Sequence, residues 1–401
     1  MTELATMDVL DLARTQFAVT GSLHFLFVVL TLGLAPLVAI MQTRHALSGK
    51  PVFERMTRFW GQTYVINYAL GVFTGLVMEF QFGLSWSGLS HYAGDVFGAP
   101  LAIETLVAFF LESTFLALWI FGWHRLPRWL HLACIWLVTL TAYASAFWIM
   151  VANAFLQNPA GSQVRGDRLA LTDPGALLSN PSFVYAFPHV IGAGLLAGGL
   201  VVAGASAFQL SRRHPEAEFF TRSMRLGTVV ASIGVFLAVG FGFAQFGPIG
   251  GLQPGKFDSD PLSGLSLGLM IMLGELLMLL FMFLLLPLIW WLPKWRWTHP
   301  VVILATPVPF VAAILGWLAR EVGRQPWMIN GRLTVADAMS PGLTPGMVGA
   351  SFAAFAGLLG LLAVVDYVLI ARTVLRGPAA TFLGAPEESH ASDCPSPALT
   401  Y

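Results

Sequence analysis

Hydrophobic residues in this chain come in long, nearly unbroken runs separated by short polar segments. At 1.5 Å per residue, about twenty apolar residues in a helix cross a hydrocarbon core of roughly 30 Å. Runs of that kind lie near 17–42, 57–82, 99–123, 130–156, 185–210, 226–248, 264–292, 299–321 and 346–371, and they predict nine membrane-spanning helices. The connecting segments are rich in Gly, Pro, Ser, Asn and Asp, as loops are. No internal repeat is evident. From residue 377 the sequence "GPAATFLGAPEESHASDCPSPALTY" is rich in Pro, Ala and Ser without helical periodicity. The expected division is therefore a transmembrane domain over 1–376 and a disordered tail over 377–401.

Composition excludes a soluble globule. Hydrophobic residues make up 56% of the 401 residues and charged ones 10%, against about a quarter charged in soluble domains. The formal net charge is zero, so nothing points to nucleic acid as a partner. The placement of the charges carries more information than their sum. Loops on one side hold Arg44, Lys50, Arg55, Arg58, Arg125, Arg128, Arg212, Arg213, Arg222, Arg225, Lys294, Arg296, Arg372 and Arg376. The other side holds Arg14, Arg165, Arg168, Lys256, Arg324 and Arg332, with Arg320 inside span 8. The positive-inside rule then predicts an all-α nine-helix bundle with its N-terminus outside and its C-terminus in the cytoplasm. The N-terminal "MTELATMDVLDLARTQ" has acids and one Arg, so the first run is expected to stay as a helix. Cys134 in span 4 and Cys394 in the tail predict no disulfide, and the chain lacks Cys-x-x-Cys-His for covalent heme attachment.

Ionisable residues inside spans are costly and mark candidate function. His24 on span 1, Glu104 on span 3, His189 on span 5, Met270 on span 7 and Glu321 at the end of span 8 all fall near the outer side on this topology. Taken singly, each has an ordinary account: a hydrogen-bonded histidine, a packing methionine, a carboxylate reaching for water. Together they place imidazole, thioether and carboxylate groups from five helices at one depth. That donor set suits heme iron, His with Met favouring a six-coordinate electron-transfer site and His or Glu a five-coordinate site open to a gas.

The stretches "QFAVTGSLHFLFVVLTLGLAPLVAIM", "FWGQTYVINYALGVFTGLVMEFQFG", "SHYAGDVFGAPLAIETLVAFFLESTF", "AFWIMVANAFLQNP" and "GWLAREVGRQPW" closely resemble subunit I of the cytochrome bd-type terminal oxidases. The resemblance implies that His189 and Met270 ligate a low-spin heme b. It implies that His24 is an axial ligand in a high-spin pair containing heme b and either heme d or a third heme b. Glu104 and Glu321 match the carboxylates at that pair, Trp317 and Trp327 match aromatic residues around it, and Arg324 would meet heme propionates, where a guanidinium fork fits a carboxylate. Glu112, Ser113, Ser145 and Asn153 match polar positions of the family's proton path, with Glu112 two turns beyond Glu104. Glu104, Glu112 and Glu321 are thus the expected catalytic carboxylates.

Two departures from that pattern stand out. The linker between spans 6 and 7, "PIGGLQPGKFDSDPLSG", is far shorter than the family's quinol loop, and its only charges are Lys256, Asp258 and Asp260. The donor is therefore expected to be a quinol or another reductant such as a cytochrome c. In addition, Gly268 stands where the family commonly has an Arg, while Glu275 and Arg320 are added charges, with pairing between them one possibility. The resemblance implies an oxygen reductase of the prokaryotic plasma membrane that takes cytoplasmic protons and makes water. A second integral subunit, and small single-helix subunits, are the expected partners. The alternative is a membrane electron-transfer or gas-sensing heme protein of the same fold.

Overall fold

The computed structural model describes residues 8–256 and 260–384. Among them, nine helices are long and apolar enough to cross a membrane: α1 (Val9–Ser48), α2 (Pro51–Ser85), α3 (Ser87–Phe121), α4 (Arg128–Gln157), α5 (Ala186–Ser211), α6 (Ala217–Leu252), α7 (Pro261–Leu285), α8 (Thr298–Val322) and α9 (Pro345–Arg376). Each covers most or all of one of the nine apolar runs, and most extend beyond it at one end or both. With 40 residues, α1 is about 60 Å long, roughly twice the hydrocarbon thickness, so its ends stand outside lipid. The helix α3 begins twelve residues before its apolar run, because "SGLSHYAGDVFG" continues the helical path outside the core. In contrast, α7 stops at Leu285 rather than near 292, and a series of turns carrying Pro287 and Pro293 follows.

Two small hairpins lie on the side of the bundle that bears the N-terminus. Strands β1 (Ser162–Arg165) and β2 (Arg168–Leu171) pair antiparallel, with Gly166 at φ 65° supplying the turn. Strands β3 (Trp327–Ile329) and β4 (Leu333–Thr334) pair beyond α8.

The tightest seam in the bundle is built from glycine. On α5, Gly192 and Gly199 face Gly234 and Gly227 of α6: a Cβ on Gly234 would stand 2.6 Å from the Gly192 carbonyl, and one on Gly199 would stand 2.6 Å from the Gly227 carbonyl. The opposite face of α5 meets α1 in the same way, where a Cβ on Gly33 would be 2.1 Å from the Gly194 carbonyl. Small residues let backbones approach in lipid, where the hydrophobic effect does not drive helices together. Apolar clusters form at both ends of the bundle. One is built around Trp60, Trp119 and Phe219 on the C-terminal side, the other around Trp86, Phe155 and Met328 on the N-terminal side.

Beyond α9 the chain turns back rather than leaving the bundle. Residues Pro378–Ala380 form a 3-10 turn, Phe382 N donates to Gln62 Oε1 at 2.8 Å, and the Gly384 carbonyl receives Arg58 and His124. Residues 377–384 of the expected disordered tail are therefore docked on α2 and on the turn that follows α3. The rest of that tail, Cys394 included, lies outside the described residues, as does Asp258 of the α6–α7 linker.

Candidate functional site

One cavity of about 500 Å³ runs between α1, α2, α3, α4, α5, α6, α7 and α8, and its wall includes His24, Glu104, Glu112, His189, Met270 and Glu321. Trp317, Arg320, Arg324, Ser145 and Asn153 also line it. Helices far apart in sequence thus deliver every expected iron-ligand type to one space.

Both histidines are oriented by a second group. His189 Nδ1 lies 2.7 Å from the Ala238 carbonyl. A carbonyl only accepts, so Nδ1 carries the proton and Nε2 keeps its lone pair. The α5–α6 glycine seam makes this contact possible, and Gly242, one turn further along α6, leaves room beside the ring: a Cβ there would stand 3.1 Å from Nδ1. His24 Nδ1 lies 2.7 Å from Thr74 Oγ1, whose own hydrogen goes to the Gly71 carbonyl at 2.6 Å. The hydroxyl therefore accepts from Nδ1, and Nε2 of His24 is again the free donor atom.

On α8, residues 316 and 320 form one stripe and 317, 321 and 324 the next, since positions three and four apart share a helical face. The first stripe meets α7, where a Cβ on Gly316 would lie 2.7 Å from Met270 Sδ. The second meets α1. Trp317 Nε1 donates to the Ala18 carbonyl at 3.0 Å, and its indole packs on Phe17 and Phe25 at centroid separations of 5.7 and 5.3 Å. Glu321 is buried, with both its oxygens 2.7 Å from Arg324 Nη2. Arg324, 3% exposed, also donates from Nη1 to the Met328 carbonyl at 2.8 Å. The turn after α8 bends the chain so that this arginine points back at its own helix.

On α3 a wide π-turn over Glu104–Phe109 sets the register of the carboxylates. Eight residues of regular α-helix would put Glu112 about 80° around the axis from Glu104. One extra residue absorbed in a π-turn cuts that offset to about 20°, so both side chains reach the same cavity. Glu104 accepts from Ser145 of α4 and from Thr105 Oγ1 at 3.1 Å, and Thr105 also reaches Glu79 of α2 at 2.8 Å. Glu112 is buried and accepts from Tyr64 at 3.3 Å.

Trp327, Ser113 and Glu275 sit outside this cavity. Trp327 is in β3, paired with Thr334, and does not line the cavity. Ser113 bonds Tyr68 at 3.0 Å and lines a shallow groove on the outside of α2 and α3. Asn153 holds Arg320 Nε at 2.5 Å. Glu275 is exposed on α7, five residues or about 140° around the helix from Met270, and forms no ion pair with Arg320.

Three groups at the cavity or in contact with its lining have no role assigned from the sequence. Glu79 lies within the quoted "VMEFQFG" and Tyr64 within "GQTYVINY", and only tertiary packing joins them to Glu104 and Glu112. Lys256 is the third: it turns inward from the α6–α7 linker, 7% exposed, and donates to Gln157 and, at 2.7 Å, to Gln253. Burial, and then the nearby Arg320 and Arg324, push its ammonium pKa down to about 6, with Glu321 opposing.

The donor set fits heme. Among the described residues no three His, Cys, Asp or Glu side chains converge as a bare metal ion requires. Isolated single donors suit an iron whose equatorial ligands come with a macrocycle. Arg320 Nη2, Arg324 Nε and Gln157 Nε2 are shielded and lack partners, which suits a ligand bearing carboxylates.

Comparison with known proteins agrees. The family profile described as cytochrome bd terminal oxidase subunit I matches residues 12–259 and 262–378. Cytochrome bd ubiquinol oxidase subunit 1 of Bacillus subtilis is 35% identical over 92% of this chain and 94% of its own length. Cytochrome bd-II ubiquinol oxidase subunit 1 of Escherichia coli is 45% identical over 62% of this chain and 49% of its own. In fold, the bd oxidase from Geobacillus thermodenitrificans superposes with a TM-score of 0.84 at 22% identity, covering 92% of this chain and 99% of that one. The chain therefore belongs to the cytochrome bd terminal oxidase subunit I family, and is a multi-pass plasma-membrane subunit of a heme-containing respiratory oxidoreductase that works with a second membrane subunit.

Proposed function

We propose that this cavity holds the hemes of a quinol-driven oxygen reductase, with His189 and Met270 as ligands of a low-spin heme b and His24, Glu104 and Glu321 serving a high-spin pair. The observation that carries the reading is that one cavity collects all five side chains, with both histidines tautomerically fixed to present Nε2. Heme bound there supplies one-electron transfer and the iron at which dioxygen is reduced to water, the high-spin pair being two b hemes or one b and one d. Arg324 neutralises Glu321, and its unpartnered Nε would be the donor to a heme propionate, with Trp317 walling the high-spin side.

Protons reach the cavity along α3. Glu112, poised by Tyr64, takes a proton from the C-terminal side of the bundle, which is the cytoplasm on the charge asymmetry of the loops. Glu104 receives it on the same face of α3, with Ser145 holding one carboxylate oxygen. Ser113 is a side branch through Tyr68. The electron donor is a quinol. The names of both curated relatives support that reading, and Lys256 lines the cavity from the α6–α7 linker. Residues 9–376 act as one heme-binding domain, with a second integral subunit, and single-helix subunits where present, against its lipid-facing helices.

The test is a reduced-minus-oxidised spectrum with heme extraction on the purified complex, plus oxygen uptake from a quinol and from reduced cytochrome c. Three hemes and quinol-driven uptake are expected, with uptake abolished by His24→Ala. A complex without heme would overturn the whole reading, and uptake from cytochrome c alone would overturn the donor.

A further inference from the structure

Two arginines on α8 lie on different stripes. Arg324 belongs with Trp317 and Glu321, toward α1, and its Nη1 and Nη2 are committed to the Met328 carbonyl and to Glu321. Arg320 is one turn from Gly316, which packs on Met270 Sδ, so its side chain leaves α8 on the Met270 side. It lines the cavity together with His189 and lies within electrostatic reach of that imidazole.

The guanidinium of Arg320 is tethered but not neutralised. Asn153 of α4 accepts from Nε at 2.5 Å, whereas Nη2 is shielded and has no partner. Glu321, adjacent in sequence, is already held by Arg324. A half-buried cation that no anion contacts is costly in a low-dielectric cavity, so a group arriving in the cavity with a carboxylate gains both a charge partner and a free N–H. The tether also restricts where that N–H can point, since Asn153 comes from a different helix.

We propose that Arg320, positioned by Asn153, offers Nη2 to a carboxylate of the porphyrin held between His189 and Met270 and raises the reduction potential of that heme. The inference rests on the ligand assignment of the preceding section. Its physical basis is that reduction adds one electron at the iron, so a fixed positive charge in a low-dielectric cavity favours the reduced state. Asn153 is then a positioning residue for an arginine and not a member of the proton path.

The experiment is a potentiometric titration of the low-spin α-band in the purified full complex, comparing wild type with Arg320→Gln, Arg320→Lys and Asn153→Ala. Arg320→Gln should keep the band and titrate at a lower midpoint, Arg320→Lys should stay near wild type, and Asn153→Ala should fall between them. A wild-type midpoint in Arg320→Gln, or a shift confined to the high-spin hemes, overturns the proposal. Should Arg320→Gln lose the heme, Asn153→Ala decides by the same readout, an unchanged midpoint overturning the proposal. The ligand assignment has its own control: a low-spin band that survives in both His189→Ala and Met270→Ala defeats that assignment whatever Arg320 does.

Discussion

Met270 Sδ rests against the backbone of Gly316, at a spot where a Cβ would approach to 2.7 Å. Gly316→Ala therefore separates the ligation proposed for Met270 from folding. The methionine tip is flexible and can swing away, and alanine adds about 1 kcal/mol of helix propensity. The variant is expected to melt at or above the wild-type temperature yet lose the thioether signature of the low-spin heme. Thermal unfolding and a low-temperature optical spectrum on one preparation check both halves.

Thr74 accepts from His24 and passes its own hydrogen to Gly71. Thr74→Val keeps the shape and removes the acceptor, leaving the imidazole free to turn or to change tautomer. Losing such an orienting partner typically costs about 10- to 100-fold in ligand affinity or activity. Oxygen uptake should fall by that range in Thr74→Val and recover in Thr74→Ser, with carbon monoxide binding to the high-spin heme as the independent readout.

Glu112 faces the same cavity as Glu104 because of the π-turn between them. Glu112→Gln keeps the hydrogen bond to Tyr64 and abolishes proton exchange, so turnover should drop at least about 10-fold while heme content stays whole. Tyr64→Phe should produce a smaller loss. Steady-state uptake at matched heme concentration measures both, and full activity in Glu112→Gln would remove Glu112 from the path.

Lys256 links pH to stability with a definite sign. Its ammonium is pushed down from 10.5 to about 6, so between those values the unfolded chain binds more protons at this site than the folded one. The contribution of Lys256 to stability is therefore greatest above 10.5, declines as pH falls toward about 6, and is constant below that. Lys256→Met should flatten the melting temperature across pH 6.5 to 9 relative to wild type, most visibly at the acidic end. Parallel profiles would contradict a buried, neutral lysine.

The glycine seam of α5 and α6 connects packing to the site. Gly234→Val pushes a side chain into the Gly192 carbonyl and the backbone at Leu196, which no rotamer relieves. Separating the helices withdraws the Ala238 carbonyl from His189. A destabilisation of about 2 kcal/mol or more is expected, accompanied by loss of the low-spin heme before the high-spin pair, as seen by heme content in detergent.

Apolar runs alone determined nine helices, because a helix in lipid must satisfy its backbone internally and be about twenty residues long. They also determined which residue types merit attention, since His24, Glu104, His189 and Glu321 are expensive inside a span and Met270 completes their donor set. What the one-dimensional pattern could not carry was direction. The register of Glu112 depends on a π-turn, the inward turn of Lys256 on an irregular linker, and the pairing of Asn153 with Arg320 on contact between α4 and α8. Trp327 and Ser113, alike in type to their neighbours, point into a hairpin and an outer groove instead. Burial cost is a property of each residue and can be read along the chain. Which group meets which is settled only when helix rotation and backbone approach, here set by glycines on α5, α6 and α8, bring distant segments together.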